Sequence, residues 1–272
     1  MNILDSFLIE QKNRGNSPST VNFYRENISL FLNWFCGGVS YVGIDDIFSY
    51  LDYLRQKGNA STSIATRYRA LRAFFNWYNP DIFAGSHTPK SRKSVIRILS
   101  EEEIQRLLLS VSGRDRVLIM LYLDCGLRLS EALRLRPCDV FDNYIVVLGK
   151  GDKERIVPLS SAFAPVLKAY VRQSASFVFE MSRNSVRLLF QKLKKRADIP
   201  RLHCHLLRHT FATMYLVNGG DPITLQAILG HESLEITKRY IHLAQTYKLK
   251  AGNKYSPLSS LVIHPRFELG TP

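Results

Sequence analysis

The stretch NYIVVLGKGDKERIVPL, residues 143–159, is the one clear β signal in the chain. Two runs rich in β-branched residues flank a charged tip that carries Gly149 and Gly151. β-Branched side chains suit a pleated strand, and a glycine-bearing tip between two such runs closes a hairpin. On both sides of this stretch the apolar residues recur at helical spacing instead. A single hairpin among helices sets the expected fold class: mainly α, in two domains, the second mixed but mostly helical with a small β-hairpin.

Upstream, Ser17 is placed to cap a helix whose first position is Pro18, with Val21, Tyr24, Ile28, Phe31, Leu32 and Phe35 on one face. Gly37 and Gly38 are expected to stop it. IDDIFSYLDYLRQKG repeats the pattern and ends at Gly58, and STSIATRYRALRAFFNWYNP ends at Asn79-Pro80. Residues 1–84 therefore form a small helical bundle. AGSHTPKSRKSVIRI (84–98) is polar and basic, which marks residues 85–98 as a linker. Ser100 and Glu103 then make a capping box, and helices are expected over 114–125 and 130–136. Beyond the hairpin, helices are expected over 161–173, 183–197, 203–218, 222–229 and 234–245, with Gly219-Gly220 and Gly230 as stops. Residues 99–250 make the second domain. Residues 251–272 form a Ser- and Pro-containing tail whose Leu258, Leu261, Val262 and Ile263 either pack on a neighbouring copy or stay free.

The 272 residues are 46% hydrophobic and 22% charged, enough for a core without staples. Four widely spaced Cys and no C-x-x-C argue against a disulfide framework or zinc ribbon, and for a reducing compartment. The N-terminus carries acids and no long apolar run, and Val117–Leu123 is too short to span a bilayer, so a cytoplasmic location is expected. Net charge is +14. Residues 1–90 hold nine Lys and Arg against seven Asp and Glu, and the remainder hold 28 against 16. Such an excess either solvates a mixed surface or meets a polyanion.

Six side chains stand out beyond the linker. Arg128 lies in CGLRLSEALRL beside Glu131, just before a helix start. It is either a surface arginine or, since a helix N-terminus favours anions, the partner of one. Lys150 sits between two glycines at the hairpin tip, as a solvated turn residue or as a mobile proton donor. In HCHLLRHTFAT, His205 and Arg208 share a helix face. His205 and His209 have a zincin spacing, but Leu206 stands where the glutamate would be and Arg208 sets a cation beside the ion, so no metal is expected. His231 follows Gly230, and Tyr240 lies on the next helix. A phenol of pKa about 10 is a poor nucleophile unless a base and cations attend it. Two Arg, a Lys, two His and a Tyr suit attack on a phosphodiester without metal or cofactor: guanidinium forks hold the non-bridging oxygens, a Lys or His protonates the leaving oxygen, and the Tyr forms a phosphoryl ester.

GLRLSEAL, GKGDKERIVPL, HLLRHTFAT, LGH and TKRYIH occur in this order, and together they resemble the tyrosine recombinase (phage integrase) family, most of all its Xer-like members. The resemblance covers about residues 100–245, and the first third resembles the family's helical core-binding domain. It implies a site-specific recombinase that cuts and rejoins double-stranded DNA through a 3′-phosphotyrosyl link, as four protomers around two duplexes. Under it Arg128 and Arg208 clamp the phosphate, Lys150 is the general acid, His205 handles the tyrosine proton, His231 bonds a non-bridging oxygen, Tyr240 is the nucleophile, and Glu131 orients the basic groups. Residues 182–208 hold eight Lys and Arg against Asp198 alone, so Arg183, Arg187, Lys194 and Lys195 are candidate DNA contacts. Arg67, Arg69 and Arg72 are candidates in the first domain. A type IB topoisomerase shares the chemistry, and a DNA-binding factor would need the basic surface without Tyr240 or Lys150.

Overall fold

The computed structural model describes residues 2–83, 97–149, 153–171, 176–231 and 233–250. Lys150, most of the linker and the 251–272 tail lie outside them. The chain divides into two compact units, Met1–Val95 and Ile96–Pro272. Among the described residues there are twelve α-helices and two strands.

The first unit comprises α1 (Ile3–Asn13), α2 (Pro18–Phe35), α3 (Ile44–Gln56) and α4 (Ser61–Tyr78). Ser17 caps α2 as its sequence demands, with Oγ accepting from the Thr20 N–H at 3.2 Å. The core is aromatic: Phe7, Phe31, Tyr68, Phe74 and Phe75 are fully buried. Each such ring contributes roughly 1.5–3 kcal/mol by leaving water. The end of α2 differs from expectation. Cys36, not Gly37, takes the left-handed turn, at φ 55°. Gly37 serves another need, because a Cβ there would lie 2.7 Å from the Phe35 ring.

The second unit comprises α5 (Glu101–Leu109), α6 (Gly113–Cys125), α7 (Leu129–Ala132), strands β1 (Tyr144–Leu148) and β2 (Glu154–Pro158), then α8 (Ala164–Val171), α9 (Arg183–Arg196), α10 (Cys204–Val217), α11 (Pro222–Leu229) and α12 (Leu234–Lys250). The Ser100–Glu103 capping box forms, with bonds of 3.3 and 3.0 Å. The strands pair antiparallel, Tyr144 opposite Pro158 and Leu148 opposite Glu154. Ile145, Val147 and Val157 point into the core.

Three helices differ in extent from expectation. The 130–136 helix is a single turn, α7. Pro137 disfavours helical geometry at Arg136, whose N–H is taken by Asp139 Oδ2 at 3.0 Å. The segment from 161 becomes helical only at Ala164, after Ser160 Oγ has capped the Phe163 N–H at 3.2 Å. The last helix runs on to Lys250.

Two features of this packing position the site. Leu206 and Leu207 bury one side of α10 in the main core, while Ala212 and Leu216 face Leu225, Leu229, Tyr240 and Ala244. The helix α12 thus docks on α10 and α11 through the stripe Thr237, Tyr240 and Ala244, all buried. At the start of the unit, the Leu99 N–H donates to Thr210 Oγ1 of α10 at 3.1 Å.

Candidate active site

Gly126 ends α6 at φ 61° and turns the chain so that Arg128 becomes the N-cap of α7. No other residue fits, since a Cβ on Gly126 would lie 2.3 Å from the Phe211 ring. One turn into α7, Glu131 is 5% exposed and gathers guanidinium groups from three elements. Its carboxylate accepts from the Arg128 N–H and Nη1, both at 2.8 Å. Arg155 of β2 adds a bidentate pair, Nη1 to Oε1 at 3.1 Å and Nη2 to Oε2 at 2.8 Å. Arg208 of α10 comes within 4.0 Å. Burial pushes the Glu131 carboxyl up, but the bonds from Arg155 and the Arg128 backbone outweigh it and hold the group below its ordinary value.

Arg208 is 4% exposed. Its Nη1 donates to the Gly126 carbonyl at 2.7 Å and its Nη2 to the Leu229 carbonyl at 2.9 Å. Burial first, then the nearby Arg128, lower its pKa to about 10, so it stays charged at neutral pH. The Arg155 Nε donates to the Ile228 carbonyl at 2.6 Å, and the Arg128 Nη2 reaches the Gly230 carbonyl at 3.4 Å. Three arginines therefore use the C-terminal carbonyls of α11, where the helix dipole favours cations.

Gly230 closes α11 at φ 61° and delivers His231 to this cluster. His231 Nε2 lies 3.2 Å from Arg208 Nη2, and its Nδ1 lies 3.0 Å from Thr237 Oγ1. A guanidinium only donates, so Nε2 accepts and the Nδ1–H donates to Thr237. Burial, Arg208 and Arg128 lower the His231 pKa to about 4, which keeps the ring neutral.

Tyr240 is 3% exposed and its ring lies parallel to His231, 6.0 Å between centroids. Its hydroxyl meets His209 Nδ1 at 2.8 Å. Burial raises the phenol pKa, only partly countered by Arg208, Arg239 and Arg128. His205, one turn before His209, is exposed. Partial shielding of its ring, Arg208 and Arg128 all lower its pKa.

The structure thus gathers Arg128, Glu131, Arg208, His231 and Tyr240. It leaves His205 on the open side, and Lys150 lies outside the described residues. At the hairpin, the Gly149 N–H donates to the Lys153 carbonyl at 2.8 Å. Three participants escaped the sequence reading: Arg155, His209 and Thr237. Arg155 carried a usable signal, because it shares the inward face of β2 with Val157, where a cation needs a buried partner.

Among the candidate DNA contacts, Arg183, Arg187 and Lys194 line one stripe of α9, with both arginines exposed, and Lys195 is exposed beside it. In the first unit, Arg67 donates to the Tyr50 hydroxyl at 3.2 Å. Arg69 bonds back to the Ala65 carbonyl at 3.2 Å, and Arg72 is half-buried.

Comparison with known proteins bears on the whole arrangement. Residues 97–246 match the phage integrase family model, and residues 4–79 match the family's N-terminal SAM-like domain. The chain belongs to the phage integrase family. It is 30% identical to tyrosine recombinase XerC of Oceanobacillus iheyensis, over 89% of this chain and 91% of that protein. It is also 30% identical to tyrosine recombinase XerA of Thermococcus onnurineus, over 91% and 93%. The fold is similar to the XerH site-specific recombinase bound to a palindromic difH substrate, with a TM-score of 0.68 at 22% identity, covering 91% of this chain and 82% of that one. The expected mainly helical, two-part recombinase fold is therefore present. Among the described residues no helix is long and apolar enough to cross a membrane.

Proposed function

We propose that this chain is a site-specific DNA recombinase that cuts and rejoins double-stranded DNA with Tyr240 as nucleophile. The observation that carries the reading is the convergence of Arg128, Arg208 and His231 beside the Tyr240 ring, with Glu131 tying the arginines together. The arginines and His231 hold the non-bridging oxygens of the scissile phosphate and stabilise the charge that builds there on attack. The Tyr240 oxygen bonds to phosphorus as the bond to the 5′ oxygen breaks. The tyrosine proton passes to His205, and Lys150 supplies a proton to the leaving 5′ oxygen. Reversal by a 5′-hydroxyl restores the diester and frees the tyrosine, so no external energy source is needed.

Arg183, Arg187, Lys194 and Lys195 contact the DNA backbone from this unit, and Arg67, Arg69 and Arg72 from the first. The domains run over 1–84 and 99–250, joined by the 85–98 linker. Four protomers assemble on two duplexes in the cytoplasm.

The test is a nicked suicide duplex recovered from DNA bound to the protein. Wild type should form a covalent adduct, in the presence of EDTA as in its absence. Tyr240→Phe should bind the same DNA and form none. Equal adduct from both proteins overturns the assignment.

A further inference from the structure

Among the described residues the Tyr240 hydroxyl makes one hydrogen bond, to a residue outside the set that holds the phosphate and handles protons. His209 Nδ1 lies 2.8 Å from the Tyr240 hydroxyl. The two rings are 5.7 Å apart and tilted by 45°, so they do not stack. Both residues sit on well-packed helices. His209 lies between Arg208 and Thr210, both buried, and Tyr240 lies on the buried stripe of α12. His205, the residue matched to proton handling, is exposed one turn away.

We propose that His209 is the positioning residue for the nucleophile, an acceptor that fixes the torsion of the Tyr240 hydroxyl and the side-chain direction from which its oxygen approaches the phosphate. This rests on Tyr240 being the nucleophile. The Tyr240 oxygen lies at the end of a long side chain, and the parallel His231 ring constrains the ring plane but not the hydroxyl. A single bond from a rigid helix supplies the missing constraint, and misplacement by about 1 Å is enough to slow such a step on the order of a hundredfold. The role is orientation rather than proton removal. Burial, His205, His203 and Arg208 lower the His209 pKa to about 4, so the ring is neutral, and in the tautomer protonated at Nε2 its Nδ1 accepts from the Tyr240 hydroxyl. A base that weak does not deprotonate a phenol whose own pKa burial raises.

Two substitutions separate the bond from the bulk. His209→Asn keeps a polar atom on Cγ where Nδ1 stood and loses the ring. His209→Phe keeps the ring and loses the acceptor. Single-turnover adduct formation on the suicide duplex should fall about tenfold to a hundredfold in His209→Phe and stay within about threefold of wild type in His209→Asn. DNA affinity and melting temperature are measured alongside. A packing role predicts the reverse order, and that order, or equal behaviour of the two variants, overturns the proposal. A second measurement needs no change at His209. The Nδ1 resonance of His209, from 15N-histidine NMR of the DNA-free protein, should shift between wild type and Tyr240→Phe. An unchanged resonance means the bond is absent and overturns the proposal, even where Tyr240→Phe has abolished the adduct and so upheld the nucleophile.

Discussion

Arg155 and Glu131 meet in a bidentate pair, with bonds of 3.1 and 2.8 Å, that joins the second strand of the hairpin to the helix turn carrying Arg128. Glu131 is nearly buried and Arg155 has 12% of its side chain exposed. Removing one partner of such a pair leaves a desolvated charge, at about 3–5 kcal/mol. Glu131→Ala should therefore lower unfolding free energy by several kcal/mol in urea titration. It should also abolish adduct formation, because Arg128 and Arg155 lose their acceptor and Arg208 a nearby counter-charge. Arg155→Lys keeps the charge but loses the fork, and an intermediate loss in both assays is expected.

Thr237 holds the Nδ1–H of His231 and thereby leaves Nε2 facing Arg208. Thr237→Val is close in shape and removes only that acceptor. Stability should fall by about 1–3 kcal/mol, the cost of an unmet buried donor. Adduct formation should fall about tenfold or more as the ring loses its tautomer. An unchanged rate would mean that His231 is oriented by Arg208 alone.

His209 and His231 both have folded pKa values lowered to about 4, from an ordinary 6.5. Between these limits the unfolded chain binds more protons than the folded one, so stability rises with pH. The stabilisation is complete above about pH 6.5 and is lost as pH falls toward 4. Urea midpoints measured from pH 7.5 to 4 should decline over this window. The decline should be shallower in His209→Phe, which has no ring to protonate.

Gly126 combines a left-handed backbone with a Phe211 ring 2.3 Å from where a Cβ would stand, and its carbonyl accepts from Arg208. Gly126→Ala should cost about 1–2 kcal/mol from the backbone alone, and more from the clash. Loss of adduct formation should accompany it, since the displaced carbonyl anchors Arg208, the proposed phosphate ligand. A variant of full stability and full activity would show that the turn does not set the arginine.

Much of this was legible in the chain because it depends on local chemistry. Ser17 with Pro18, the Ser100–Glu103 box and the paired β-branched runs each name their own structure. Arg128, Arg208, His231 and Tyr240 stood out through their motifs, and the fold brings them together. What stayed hidden depends on contacts between distant segments. His209 showed only a helical spacing from His205, and nothing local says that α12 lays a tyrosine against it. Arg155 read as one residue of a strand until β2 was set beside α7. The short α7 had a local cause in Pro137, which the apolar spacing through Leu135 masked.

Three guanidinium groups around one carboxylate leave the cluster short of negative charge. Burial first and then the nearby Arg128 depress the Arg208 pKa, and the second of these is that crowding. A DNA-free molecule is then held away from its own electrostatic optimum, and any compact dianion of tetrahedral shape relieves the load. Ligand occupancy and folding are linked through mass action, so sulfate or inorganic phosphate at 100 times its dissociation constant should stabilise this unit by about 2.7 kcal/mol. The scissile phosphate would in this sense complete the protein's own charge balance before any bond is broken.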